Sequence, residues 1–138
     1  MQKILLILGL LLLIPLRVSK SNKTIIITEP SRVDIKLLAR LLESECSICP
    51  VSEKKLVGAT VLNRIGHSDF PDDLKSVINQ KNQYYITDQK PSKESFIIAR
   101  DLLNCGKRNQ KILYFYKPGN GFKRKNVMYK TKYHHYAT

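Results

Sequence analysis

Glu45 is the residue in this chain whose type and position best suit it for chemistry. It sits near the end of a segment with helical periodicity, and Asn63-Arg64 follows eighteen positions later at the end of a second such segment. A carboxyl group at a helix end beside a loop can be partly withdrawn from water. Withdrawal favours the protonated form, and that form is what a general acid needs. Taken alone, Glu45 also reads as an ordinary exposed carboxylate. Glu43, two residues out of register with it, is expected to be solvated. Asn63 falls in an otherwise apolar stripe, where an amide needs a hydrogen-bond partner. Asn63 and Arg64 are therefore assigned to the site, as groups that bind a ligand and hold the pocket in shape.

The other reactive side chains are three cysteines and three histidines. In an oxidising compartment Cys46 and Cys49 can pair with each other, or one of them can pair with Cys105. A Cys-x-x-Cys pair also suggests zinc or redox chemistry. There is no second pair, however, and His67, His134 and His135 lack the spacing of a structural zinc site. No metal and no cofactor are expected, and His134 reads as a structural histidine near the terminus.

Charge constrains the partner. The chain of 138 residues carries 24 Lys and Arg against 11 Asp and Glu, a net charge of +13. From Cys105 onward there is no acidic residue, and Lys123-Arg124-Lys125 lies amid Tyr114, Phe115, Tyr116, Phe122 and Tyr129. Such a surface attracts polyanions. Which polyanion depends on the N-terminus, where Met1-Gln2-Lys3 precedes an apolar run from Ile4 to Leu16 and the small-residue stretch Ser19-Lys20-Ser21. A run of about 13 residues suits a secretory signal, whereas a spanning helix needs about 20. Residues 1–21 are read as an export signal or signal anchor, so the protein is expected to be periplasmic or extracellular, with a membrane anchor through residues 4–16 as the variant. Outside the cytoplasm the anionic cell envelope is the expected partner, and nucleic acid is not. Residues 22–30 form a linker containing the strand-like Thr24–Thr28. One domain is expected over residues 31–138, acting as a monomer.

The elements that must position Glu45 follow from periodicity. Ser31 caps a first helix with Asp34 three residues on, and Val33, Leu37, Leu38, Leu41 and Leu42 form its apolar stripe. Pro50 stops it. Ser52 is expected to cap a second helix through Ile65, whose apolar width makes it central and which Gly66 ends. Pro71-Asp72-Asp73 opens a short third helix with Leu74, Val77 and Ile78. Ser92 opens a fourth, with Phe96, Ile97, Ala99, Leu102 and Leu103 inward and Cys105-Gly106 at its close. Ile112–Tyr116 has strand composition, Pro118-Gly119-Asn120-Gly121 is a turn, and Val127–Tyr129 and Tyr133–Tyr136 add short strands. The class is α+β, mainly helical.

At this point several segments resemble one family. Leu38–Glu45, Val57–Arg64 and Phe70-Pro71 are similar to the opening of the bacterial cell wall hydrolase domain of the spore-cortex-lytic enzyme type. Val77-Ile78 with Gln80 and Gln83-Tyr84 resembles its Val-Ile, Gln and Gln-Phe segment. Ala99, Leu103-Asn104 and Gly106 resemble a helix end in that family. Leu113–Tyr116 with Pro118 resembles its Leu-Tyr-Tyr-Phe-Asn-Pro, and His134 with Tyr136 its closing His-x-Phe. The similarity covers about Asp34 to Thr138, in one order, with the gap between Glu45 and Asn63-Arg64 preserved.

The resemblance implies a compact lysozyme-like domain with a small C-terminal β element that cuts the glycan strands of peptidoglycan, typically as a lytic transglycosylase, with Glu45 rather than Glu43 as the acid. Gln83 and Tyr84 read either as a loop tip or as groups that hydrogen-bond and stack on a sugar, and Tyr114 and Tyr116 alternate with Phe115 on a strand, one face being core and the other lining the glycan groove beside Asn63 and Arg64. The chain departs from the family where Ala-Arg-Gly-Glu is replaced by Cys46-Ser47-Ile48-Cys49. Two readings from other classes compete: a non-catalytic envelope-binding domain of the same fold, and a small basic nucleic-acid-binding protein.

Overall fold

The computed structural model describes residues 29–105 and 111–138. The export segment, the strand-like Thr24–Thr28 and Gly106 lie outside the described residues. Helix α1 spans Arg32–Cys46, α2 Val51–Asn63, α3 Leu74–Ile78 and α4 Lys93–Asn104, followed by β1 (Tyr114–Tyr116), β2 (Val127–Lys130) and β3 (His135–Ala137). The class is α+β and mainly helical, as the periodicity indicates.

Capping residues set most of the helix starts. The Ser31 hydroxyl accepts the Val33 N–H, Asp73 accepts the Ser76 N–H at 2.8 Å and Ser92 accepts the Ser95 N–H at 3.2 Å. Each satisfies a donor that the first turn leaves without an intrahelical partner. The second helix departs from expectation. It begins at Val51 after Pro50, not at Ser52. Proline's fixed φ and missing N–H suit a helix start, so no side-chain cap is required there. Gly66 follows α2 with φ of 79°, a left-handed conformation that glycine adopts without a Cβ clash.

The core lies where α1, α2 and α4 meet. Leu38, Leu41 and Leu42 of α1 are sealed against Val57, Val61 and Leu62 of α2 and Ile98 and Ala99 of α4. Val33, expected in the α1 stripe, is 71% exposed because it precedes the turn that first meets α2 and α4. On α4 the buried residue is Ile98 and Ile97 faces outward, a shift of one position from the expected stripe. The three strands form an antiparallel sheet in the order β1-β3-β2. Tyr114 pairs with Ala137 and Phe115 with Tyr136, while an irregularity between Val127 and Tyr129 bends β2. The last strand is therefore the centre of the sheet.

Glu43 is the chief correction among the carboxylates. It is 6% exposed rather than solvated. One oxygen, Oε2, accepts the Ser92 N–H at 3.0 Å, the Ser92 hydroxyl at 2.8 Å and the Ser95 hydroxyl at 2.7 Å. Burial alone would raise its pKa, but these bonds and the charge on Lys54 outweigh that and hold it below the ordinary carboxylate value. The bonds tie α1 to the start of α4. Glu43→Ala leaves these donors without their acceptor, and urea denaturation is expected to show a loss of about 3 kcal/mol.

Candidate active site

The last turn of α1 places Glu45 on the wall of a cleft of about 460 Å³. Lys117, Lys132, Tyr133 and His134 from the C-terminal segment form the other side, and Cys46 and Cys49 are part of the lining. The Glu45 carboxyl accepts the backbone N–H of Tyr85 at 3.2 Å. Burial pushes its pKa up, and it stays above the ordinary value although the Tyr85 hydrogen bond and the charges of Lys117 and His134 act in the other direction. A carboxyl group held this way keeps its proton to higher pH than one in water and can deliver it to a bound molecule.

The loop after Glu45 is closed by a disulfide between Cys46 and Cys49, with an S–S distance of 2.05 Å and 5.1 Å between Cα atoms. Cys105 is exposed on the far end of α4 and lies outside this bond. One nitrogen of His134 and the two sulfurs lie within 4.8 Å of one another, a proximity that spacing along the chain does not reveal. Zinc is bound by thiolates. With both sulfurs joined in the disulfide, neither is one.

Asn63 and Arg64 stand behind the cleft, not in it. They are 5% and 3% exposed. Asn63 Nδ2 donates to the Ile112 carbonyl at 2.9 Å, and Arg64 Nε donates to the Leu113 carbonyl at 2.8 Å, so both anchor the chain just before β1. The Arg64 guanidinium also donates to Gln83 Oε1 at 3.0 Å and packs 4.7 Å from the Phe70 ring centroid and 5.1 Å from that of Tyr84. Asn63 Nδ2 and Arg64 Nε and Nη1 are thus engaged inside the protein, which suits the role of holding the site in shape.

Gln83 and Tyr84 belong to the loop that carries the Tyr85 N–H to Glu45. Burial pushes the Tyr84 phenol up to about 12, with the Arg64 charge opposing and the Glu45 charge adding to the rise. Tyr84 is thus a neutral, buried phenol that packs against Arg64 and Phe115. Tyr114 is covered by Arg124, whose guanidinium lies 3.2 Å from its ring centroid. Tyr116 packs edge-on against Phe122 and His135. Neither tyrosine lines the cleft around Glu45, although β1 leads directly to Lys117, which does.

Two residues around the site were not legible beforehand, Tyr85 and Glu53, and His134, read as structural, lies nearer the site than expected. Tyr85 acts through its backbone, which carries no side-chain signature. Glu53 in the first turn of α2 has the look of an exposed helix-start carboxylate, yet it is 3% exposed and receives groups from the last strand and the loop before it. His134 lines the same cleft as Glu45.

Residues 50–137 match the Cell Wall Hydrolase family. This chain belongs to that family. The match begins just after Glu45. The fold of this cell wall hydrolase is that of two solved domains. One is the catalytic domain of the germination-specific lytic transglycosylase SleB from Bacillus anthracis, with a TM-score of 0.68 and 21% identity over 79% of this chain and 97% of that one. The other is the catalytic domain of the Bacillus cereus SleB protein, with a TM-score of 0.66 and 21% identity over 78% and 91%. No curated protein matches the sequence.

The raised pKa of Glu45 has a measurable consequence. The folded protein holds this proton more tightly than the unfolded chain. The associated stability is fully present below the unfolded pKa and is lost as pH rises through the folded one. Glu45→Gln cannot ionise, so thermal melts are expected to show the variant gaining on the wild type as pH rises from about 4 toward 7. Parallel curves would place Glu45 in ordinary solvent.

Proposed function

We propose that this cell wall hydrolase cleaves the glycan strands of peptidoglycan as a lytic transglycosylase, with Glu45 as the general acid. One observation carries the reading: among the described residues lining the cleft, Glu45 alone bears a carboxyl group, and burial favours its protonated form. Most glycosidases need two carboxyl groups, one to protonate the leaving oxygen and one to act on the opposite face of the sugar. A transglycosylase replaces the second with the substrate's own nucleophile. Glu45 protonates the glycosidic oxygen, the bond to the anomeric carbon breaks, and the 6-hydroxyl of the muramic acid residue closes an anhydro ring. The hydroxyl proton restores Glu45, and no cofactor takes part. The lytic transglycosylase named among the structural relatives supports the choice of reaction.

The residues around Glu45 divide by distance from the reaction. Asn63 and Arg64 position the loop and strand. Gln83, Tyr84, Tyr114 and Tyr116 are assigned to the wider glycan groove, away from the sugar being cut. The basic C-terminal segment supplies attraction to the anionic envelope, and residues 1–21 supply export or anchoring. No helix among the described residues is long and apolar enough to cross a membrane.

Mass spectrometry of digested sacculi should reveal anhydro-muramic ends, and Glu45→Gln should lower their rate of release by about 10²–10⁴-fold. Reducing ends in their place would replace transglycosylation with hydrolysis. Binding to sacculi should weaken several-fold as salt rises well above 0.1 M, where screening acts within about 10 Å. Replacing Lys123, Arg124 and Lys125 with Gln should weaken binding in low salt and flatten the salt dependence.

A further inference from the structure

Two lysines share the cleft with Glu45. Lys117 directly follows β1, and Lys132 lies in the loop between β2 and β3. Both are exposed. Arg40, Lys54 and Arg100 each face a carboxylate within ion-pair distance. Lys117 and Lys132 have no such partner among the described residues, so their charge is not neutralised inside the fold.

Each is also held at the cleft. Lys117 lies between Tyr116, which is paired to His135 in the sheet, and Pro118, whose ring restricts the backbone. Its charge is close enough to Glu45 to oppose the rise in that group's pKa. The Lys132 ammonium sits 4.9 Å from the ring centroid of Tyr133, a cleft residue that packs against the core.

A cleft lined by cations concentrates anions. The sugar rings of a glycan strand carry hydroxyl and acetamido groups, which are uncharged. The carboxylates of peptidoglycan belong to its peptide stem, which is attached through the lactyl ether at the 3-oxygen of muramic acid. That is the sugar whose anomeric carbon and 6-hydroxyl react, so its stem leaves the ring beside Glu45. A phosphate polymer joined to the 6-oxygen would remove the attacking hydroxyl, which leaves the stem carboxylates as the anion compatible with ring closure.

We propose that Lys117 and Lys132 bind the carboxylates of the peptide stem, so that the enzyme selects muramic acid residues carrying a charged stem over those whose stem is uncharged. The assignment rests on the transglycosylase reading and deepens it. The chemistry at Glu45 is unchanged, and the lysines decide which sugar is placed there. Exposed ion pairs are weak singly, so selection takes both.

The test uses glycan strands freed of phosphate polymers, with the stem carboxylates either intact or capped as neutral methyl amides. Wild-type KM is expected to be about threefold to tenfold lower on intact strands, with kcat nearly equal, because binding shared by ground and transition states moves KM alone. Lys117→Gln combined with Lys132→Gln should bring the two KM values together. Arginine at both positions keeps the charge and should keep the difference. Equal KM values in the wild type, or a difference that survives the double Gln variant, would overturn the assignment. Equilibrium binding of Glu45→Gln protein to the same two strands separates recognition from reaction. If the wild type releases no anhydro ends, the transglycosylase reading fails by itself. A preference for intact strands that the two lysine substitutions abolish then still supports stem binding, and equal affinity for both strands rejects it.

Discussion

The structure depends on a desolvation constraint at α2. This helix is packed against α1, α3, α4 and β1, yet its sequence includes Glu53, Lys54, Asn63 and, at its C-cap, Arg64, all nearly sealed from water. A charge in that position is tolerated only when it is paired and hydrogen-bonded. Each one therefore dictates a neighbour. Lys54 holds Glu94 of α4 at 2.7 Å, Glu53 holds the segment from Thr131 to Tyr136, and Asn63 with Arg64 holds the carbonyls of Ile112 and Leu113. The C-terminal sheet has little apolar surface of its own to bury, and these polar contacts complement Phe115 and Tyr136 in docking it on the helices.

Glu43 and Glu45 show how the same scaffold gives two carboxyl groups different chemistry. They are two residues apart on one helix and so point in different directions. Glu43 faces the start of α4, where three donors hold it ionised. Glu45 faces the cleft, where it gains one backbone hydrogen bond and loses water, so its pKa is raised. The first is an anchor and the second is available for chemistry. The rest of the site follows from where the sheet docks, since that brings Lys117 and His134 opposite α1.

The helices were legible because burial imposes a period of 3.6 residues and because Ser31, Asp73 and Ser92 mark their starts. The misplacements have local causes. Ser52 is a good cap by type, but Pro50 already begins the helix. Ile97 and Ile98 are adjacent apolar residues, and which of them faces inward depends on how α4 is rotated against its neighbours, something one sequence segment does not encode. Val33 has the spacing of the stripe but lies beyond the packed turns. The choice among disulfides was likewise open until the chain reversal after α1 brought Cys46 and Cys49 together and left Cys105 at the end of α4.

Sequence by itself determined the helical scaffold, the α+β class and the basic C-terminal surface. Those features reside in local periodicity, composition and motif order, which survive without coordinates. Only the tertiary structure decided which polar residues face the cleft and which are consumed inside. Asn63 and Arg64 are buried and hold the carbonyls of Ile112 and Leu113. Glu53 and His134, eighty-one positions apart, became a hydrogen-bonded pair beside Glu45. The environment of a titratable group is set by what packs against it from distant parts of the chain, and that packing exists only once the sheet has docked on α2.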